Sequence, residues 1–313
     1  MPILRQKFRV LLILLILFVL AAPVNIRAAE KSSATLLVVL KGDNALGFVN
    51  PETRQQMDTV PVGAGPHEVV ASADGKLAFV SNYGPNNGRT PGATISVVSI
   101  PDRKQLRTLD VGTDSKPHGL LFAGGKLYFT AETLKQVGRY DPSTNVINKR
   151  FDIDQDRTHM LVMTRNRKTM FASNLNSNSV SVIDLGTGGW TATAIPIKAG
   201  QRPEGIDLSP DEKEVWSVTN DDPRVSIIDV AARKVVATLD PELLQPNRIK
   251  FTLDGKHVLI NDTRGGEVVV VNASSRQVVK RVHVGNASQG MLIAPHGSTA
   301  YVASFLSSEA ATS

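Results

Sequence analysis

Gly65-Pro66-His67-Glu68-Val69-Val70 decides the architecture, because its shape returns five times downstream. The returns are Lys116-Pro117-His118-Gly119-Leu120-Leu121, Arg157-Thr158-His159-Met160-Leu161-Val162 and Arg202-Pro203-Glu204-Gly205-Ile206-Asp207, then Gln245-Pro246-Asn247-Arg248-Ile249-Lys250 and Ala287-Ser288-Gln289-Gly290-Met291-Leu292. The third residue of each falls at 67, 118, 159, 204, 247 and 289, so the spacings are 51, 41, 45, 43 and 42 residues. A period in the low forties is the length of one propeller blade.

One grammar fills each period. A short apolar strand, A, runs into a tight turn such as Asp74-Gly75-Lys76, Gly124-Gly125-Lys126, Asp211-Glu212-Lys213 or Asp254-Gly255-Lys256. Such turn residues between β-rich runs mark hairpins. Strand B follows. Strand C alternates apolar and polar residues and ends at Asn50, Ser99, Asp141, Asp184, Asp229 or Asn272, whose side chains can bond the backbone two residues on and start the next turn. Strand D closes the unit. No stretch has the period of a long amphipathic helix. A lone four-stranded sheet cannot bury both faces, whereas sheets stacked around an axis can. The expected fold class is therefore all-β, a β-propeller of four-stranded blades in a single domain over 34–304.

Phe79-Val80-Ser81-Asn82, Ser217-Val218-Thr219-Asn220 and Tyr301-Val302-Ala303-Ser304 resemble the Tyr-Val-Thr-Asn strand of the YVTN-repeat (YncE-like) β-propeller family. Ser179–Asp184 and Arg224–Asp229 resemble its next strand. The resemblance spans nearly the whole repeat region. It implies a seven-bladed propeller of the broad class that includes YncE-like proteins, lactonase-type propellers and cofactor-bearing propellers. The repeat encodes packing, so it implies little about chemistry. The N-terminal part supplies strands B, C and D, and the C-terminal part supplies only A and B before Phe305–Glu309. The expectation is a seven-bladed design shortened at the C-terminus, with closure in six blades as the alternative.

The 313 residues are 42% apolar, 20% charged and 5% aromatic, and include no cysteine. This suffices for a large core, and it excludes disulfides, thiolate metal sites, Cys nucleophiles and covalent c-type haem. The net charge is +6, but Arg5, Lys7, Arg9 and Arg27 lie in the first 28 residues, without a single acid among them. The remainder is near neutral and carries no basic–aromatic clusters, so nucleic acid is not an expected partner. Residues 1–28 run from that basic start through an apolar stretch, Val10 to Ala22, to Ile26-Arg27-Ala28-Ala29. This is the order of a secretory signal peptide cleaved near Ala28, and the apolar run is shorter than the ~20 residues of a membrane span. The expected product is exported, periplasmic or extracellular, monomeric, and without a membrane span after cleavage, with a C-terminal tail at 305–313.

Equivalent positions of successive blades fall on one ring about the axis. Strand A lines the channel, so His67, His118, His159, Glu204, Asn247 and Gln289 ring its mouth. Three of the chain's six histidines occupy that register. Strand B returns to the same face and brings a second ring, Asn82, Glu132, Asn174, Asn220 and Asp262. The long loop from Tyr83, with Asn86, Asn87 and Arg89, projects beside it. These residues are the candidate site for an unidentified protein or small-molecule ligand. His67, His118, His159 and Glu204 are also candidate ligands for a divalent metal, since imidazoles with a carboxylate suit Zn or Cu. The bland alternative is a wet channel mouth built from the repeat's turn residues, with no cofactor. His257, His283 and His296 lie off the ring.

Asp152-Ile153-Asp154-Gln155-Asp156 opens like an EF-hand loop, but Arg157 stands where Gly is needed and Met163 where the bidentate Glu belongs, so it reads as a solvated acidic loop. No phosphate-binding, nucleophile-elbow or zinc-protease motif is present. The primary expectation is a non-catalytic binding propeller. A lactonase-like hydrolase and an envelope metal or redox propeller are the alternatives.

Overall fold

The computed structural model describes residues 34–85, 90–186, 188–196 and 200–304. Residues 1–28, where a signal peptide is expected, loop residues Asn86, Asn87 and Arg89, and residues 305–313 lie outside the described residues. Among the described residues no helix is long and apolar enough to cross a membrane.

Every regular element among the described residues is a strand. The N-terminal sheet holds β1 (Leu36–Leu40), β2 (Ala45–Val49) and β3 (Gln56–Pro61). Five complete sheets follow. They are β4–β7 (Pro66–Ala71, Leu77–Asn82, Thr94–Ser99, Lys104–Asp110) and β8–β11 (Pro117–Ala123, Lys126–Ala131, Gln136–Asp141, Val146–Asp152). Next come β12–β15 (Thr158–Met163, Thr169–Asn174, Ser179–Gly186, Gly189–Pro196) and β16–β19 (Gln201–Leu208, Glu214–Asp221, Val225–Asp229, Lys234–Leu239). The fifth is β20–β23 (Pro246–Phe251, His257–Asp262, Glu267–Asn272, Val278–His283), and β24 (Ser288–Ile293) and β25 (Ala300–Ser304) pair at the C-terminal end. The twenty-five strands of the described residues suffice for six four-stranded blades. The protein is a six-bladed β-propeller, so the seven-bladed expectation is corrected in favour of its alternative.

The core lies between blades. Phe79, Ile95, Val97 and Leu109 of one blade meet Leu127, Phe129 and Tyr140 of the next, and four further clusters repeat this seam around the ring. Each fully buried large side chain contributes about 1.5–3 kcal/mol, so the blades hold one another. The outermost strands alternate instead, as in β7 and β11, because only one of their faces is covered.

The A–B turns form as expected. Ser72 Oγ donates to Asp74 Oδ1 at 2.6 Å and the Lys76 amide bonds the same oxygen at 3.1 Å, while Gly75 takes φ +69°. The same side-chain bond recurs at Ser209–Asp211 and Thr252–Asp254, both 2.7 Å. Asn50, Asp141, Asp229 and Asn272 cap the C–D turns by accepting downstream amides. Asp184 does not. Strand β14 continues to Gly186, and Asp184 instead receives both guanidinium nitrogens of Arg233 from the next blade, at 2.6 and 2.7 Å.

Candidate functional site

Every inner strand breaks register with its neighbour near the same place: Pro66/Val69, Pro117/Leu120, Thr158/Leu161, Pro203/Ile206, Pro246/Arg248 and Ser288/Gly290. The ring residues His67, His118, His159, Glu204, Asn247 and Gln289 all sit inside these bulges. A bulge leaves a residue unpaired and re-aims its side chain, which here directs the ring toward the axis. Four of the preceding residues are prolines, which lack the amide a regular ladder would use. Strand B then fixes the bulge. Thr130 Oγ1 accepts the Gly119 amide and donates to the His159 carbonyl, both at 2.8 Å, and Ser173 Oγ likewise joins the Met160 amide to the Glu204 carbonyl. One hydroxyl thus holds the ring residues of two blades.

The three histidines meet edge to face and face to face. His67 and His118 have centroids 4.5 Å apart, and His118 stacks on His159 at 3.6 Å and 30°. His159 lies between two carboxylates: Nδ1 bonds Glu132 Oε1, and Nε2 bonds Glu204 Oε1 at 2.9 Å. Asn247 donates to the same Glu204 oxygen at 3.1 Å. Arg248 donates to Asn247 Oδ1 at 2.8 Å and pairs with Glu68, tying β20 to β4 across the mouth. Gln289 is half-buried on β24, and no described hydrogen bond joins its side chain to the others.

Burial would strip the proton from His159, but Glu204 and Glu132 outweigh it and lift its pKa to about 9. Burial would likewise raise Glu204, yet His159 and Arg248 pull it down to about 2. Glu132 also ends below its ordinary value, against burial, chiefly through its bond to His159. His118 has the opposite fate. It is 1% exposed, and burial followed by the charge on His159 drives its pKa well below 6.5. His67 is driven down too, by burial and then by Lys41. The set is therefore two neutral imidazoles beside one imidazolium held between carboxylates.

The second ring splits. Pro66 pairs with Asn82, Pro117 with Ala131, Thr158 with Asn174, Pro203 with Thr219 and Pro246 with Asp262, so Glu132 and Asn220 stand one residue beyond the register of Asn82, Asn174 and Asp262. One residue along a strand reverses the face. Asn82 accordingly bonds Thr94 and Ser96, and Asn174 bonds Thr158, Ser179 and Ser181, all within their own blades. Asp262 accepts the Leu244, Gln245 and Gly265 amides as a loop brace. Asn220 reaches the Pro246 carbonyl. The register that faces the site contains Tyr83 and Glu132. Tyr83 stacks on His67 at 4.9 Å, and its hydroxyl donates to Glu132 Oε2 at 2.7 Å.

Five contributors were not expected: Lys41, Glu68, Lys116, Arg157 and Arg248. Lys41 Nζ lies 2.8 Å from His67 Nδ1. Lys116 Nζ sits 4.4 Å from the Tyr83 ring centroid. Arg157 Nη2 reaches the Tyr83 hydroxyl at 3.1 Å and Glu132 at 3.4 Å. A signal for two of them stands in the repeat itself, whose first register reads Gly65, Lys116, Arg157, Arg202, Gln245 and Ala287. All but Gln245 take the left-handed conformation, including Lys116 at φ +51° and Arg157 at +56°. Arg157 therefore leaves the acidic loop, whose Asp152 and Asp154 are exposed, and turns into the site.

Two groups offer ligand atoms within 4.8 Å of one another: His67, Glu68 and His118, and His118, Glu132 and His159. In the first, Lys41 occupies His67 Nδ1 and Arg248 occupies Glu68. In the second, both His159 nitrogens are engaged by carboxylates. Among the ligand atoms of these two groups, His118 Nδ1 is buried without a partner in the described residues. A cation would have to displace Lys41, Arg248 or the His159 proton.

No protein-family model matches the chain, and no curated protein matches it either. Solved structures do. Kuenenia stuttgartiensis hydrazine synthase aligns with TM-score 0.75 and 19% identity over 86% of this chain and 89% of that one. A streptogramin B lyase aligns with TM-score 0.72 and 13% identity over 85% and 86%. At these identities the likeness establishes the β-propeller fold alone.

Proposed function

We propose that this is an exported propeller of YVTN type, acting as a monomer, whose channel mouth binds a small ligand without transforming it. The observation that carries the reading is the convergence of His67, His118 and His159 from three blades onto a braced ionic network, with His118 Nδ1 left over. Buried polar groups are costly unless satisfied, and a site assembled before its ligand arrives binds with less ordering cost. The test is native mass spectrometry of tag-free protein, with identification of any retained molecule and a metabolite panel read by Tm. Retention or a Tm shift in the wild type that is lost in a folded His67→Ala, His118→Ala double variant supports the reading. Equal behaviour of the two proteins, or silence across both measurements, rejects it. Elemental analysis of the same sample decides the divalent-metal alternative.

A second reading is an acid–base enzyme, in line with the lactonase-like alternative. It is favoured by a neutral imidazole stacked 3.6 Å from a held imidazolium, since groups whose pKa values are pushed apart suit the two proton-transfer roles. One structural neighbour is named a lyase. Incubation with a lactone panel that includes streptogramin B tests it; absence of turnover removes it.

A further inference from the structure

Three cations of the mouth, Arg157, Arg248 and the imidazolium of His159, each hold a carboxylate of Glu132, Glu68 or Glu204. Lys116 holds none among the described residues, and its Nζ rests 4.4 Å from the centroid of the Tyr83 ring. A ring face attracts an ammonium more weakly than a carboxylate does. The backbone fixes this placement. Gly92 donates its amide to the Tyr83 carbonyl at 2.9 Å, and its own carbonyl accepts the Lys116 amide at 2.8 Å. The Lys116 carbonyl in turn accepts the Glu132 amide at 3.3 Å. Lys116 keeps a left-handed conformation, φ +51°, which is costly for a residue with a side chain and persists only where the surroundings impose it. The amine is thus delivered to the ring, and both residues stay half-buried. Burial lowers the Lys116 pKa most; Glu132 offsets part of this, and Arg157 lowers it again. A lysine desolvated beside another cation is set up to attack a carbonyl group.

We infer that the mouth captures a small aldehyde or ketone as an imine on Lys116 Nζ, over the Tyr83 ring. This rests on the reading of the mouth as a ligand site and names its ligand class, an electrophilic carbonyl. The step needs no oxidant or reductant. The ammonium gives one proton to solvent, and the amine's electron pair forms the N–C bond as the C=O π pair moves to oxygen. A proton passes from nitrogen to that oxygen. Solvent then returns a proton, the hydroxyl leaves as water, and the nitrogen pair closes the C=N bond. Ammonium and carbonyl have become iminium and water. The charge above Tyr83 is unchanged, so the pairing of Glu132 with Arg157 and His159 is left as it was. Water reverses the step, and the ligand is held and released unaltered.

The probes are butanal and, separately, butanone, each incubated with the wild-type protein at pH 7 and trapped with cyanoborohydride, which reduces an imine to a stable secondary amine. Peptide mass spectrometry is expected to find the adduct on Lys116, formed at least about fivefold faster than on the exposed Lys104, Lys234 and Lys280. The better probe tells an aldehyde site from a ketone site. Lys116→Arg keeps a cation for the ring but lacks a nucleophilic amine, and is expected to stay folded and lose the fast adduct. Labelling of Lys116 no faster than that of the exposed lysines with both probes, or an unchanged fast adduct in Lys116→Arg, overturns the inference. If that happens while the His67, His118 double variant still loses a retained molecule, the ligand site stands and only capture as an imine falls. A retained carbonyl compound that Lys116→Arg fails to hold supports both readings.

Discussion

His118 and His159 occupy the same register of adjacent blades and stack at 3.6 Å, yet one is held neutral and the other charged. The difference does not come from burial, since they are 1% and 3% exposed. It comes from what strand B delivers. At the face-turned register the His118 blade supplies Glu132, which crosses the seam to His159 rather than serving its own histidine. His159 gains Glu204 from the opposite neighbour. His118 receives two histidines and no carboxylate bond. One fold position therefore has two chemistries, set by side chains that arrive from neighbouring blades.

The comparison breaks most sharply at Glu132. It is fully buried and bonded to His159, Tyr83 and Arg157. Glu132→Ala leaves the Arg157 guanidinium without its carboxylate and the His159 imidazolium with Glu204 alone, and breaking a buried pair from one side costs about 3–5 kcal/mol. Urea unfolding at pH 7 is expected to show a loss of that size. A loss under about 1 kcal/mol would mean that Glu132 is not the anchor of the charged half.

The pH dependence sharpens the contrast, because the two histidines contribute with opposite sign. His159 has a folded pKa of about 9 against 6.5 when unfolded, so its stabilisation is complete below pH 6.5 and is lost as pH rises through 9. The span corresponds to a loss on the order of 3 kcal/mol. Glu204 acts at the other end: its stabilisation is present above its unfolded 4.5 and is lost as pH falls through about 2. His118 and His67, with depressed values, resist protonation, so stability also declines as pH falls below 6.5. NMR titration of the imidazole protons should find one ring titrating near pH 9 and the two neutral ones still unprotonated as pH falls past the ordinary imidazole value of 6.5. A common midpoint near 6.5 for all three would refute the assignment.

The repeat was legible because packing repeats: turns, buried strand B and the ring register all obey one period. The ionic network was not, because it belongs to single blades. Asn82, Asn174 and Asp262 look equivalent to Glu132 when counted along the chain, but a strand's faces alternate, and the ladder places Glu132 one residue further on. Nor does the periodic pattern announce a bulge, although the proline before four ring residues is consistent with one. Lys116 and Arg157 were visible as the first letters of the repeated segment. What hid them was backbone handedness: a left-handed residue ahead of a strand sends its side chain where an extended one would not go. Lys41 and Arg248 came into reach only through the ring's curvature, Arg248 meeting Glu68 at a separation of 180 residues.

The smallest effect is the most diagnostic. His118→Phe keeps a planar ring between His67 and His159 and removes a buried Nδ1 that has no partner in the protein. An unsatisfied polar atom costs stability, and a ring one carbon larger costs packing, so the two terms oppose each other. At pH 7 the net change in unfolding free energy should be within about 1 kcal/mol. The decline in stability below pH 6.5 should be shallower, because one fewer group gains a proton on unfolding. The same exchange at His159 would remove the cation that two buried carboxylates share and cost several times more. Equal losses at the two positions would show that His118 is held by the network after all. Its unpartnered nitrogen would then be a brace of the fold rather than a point of contact with a ligand.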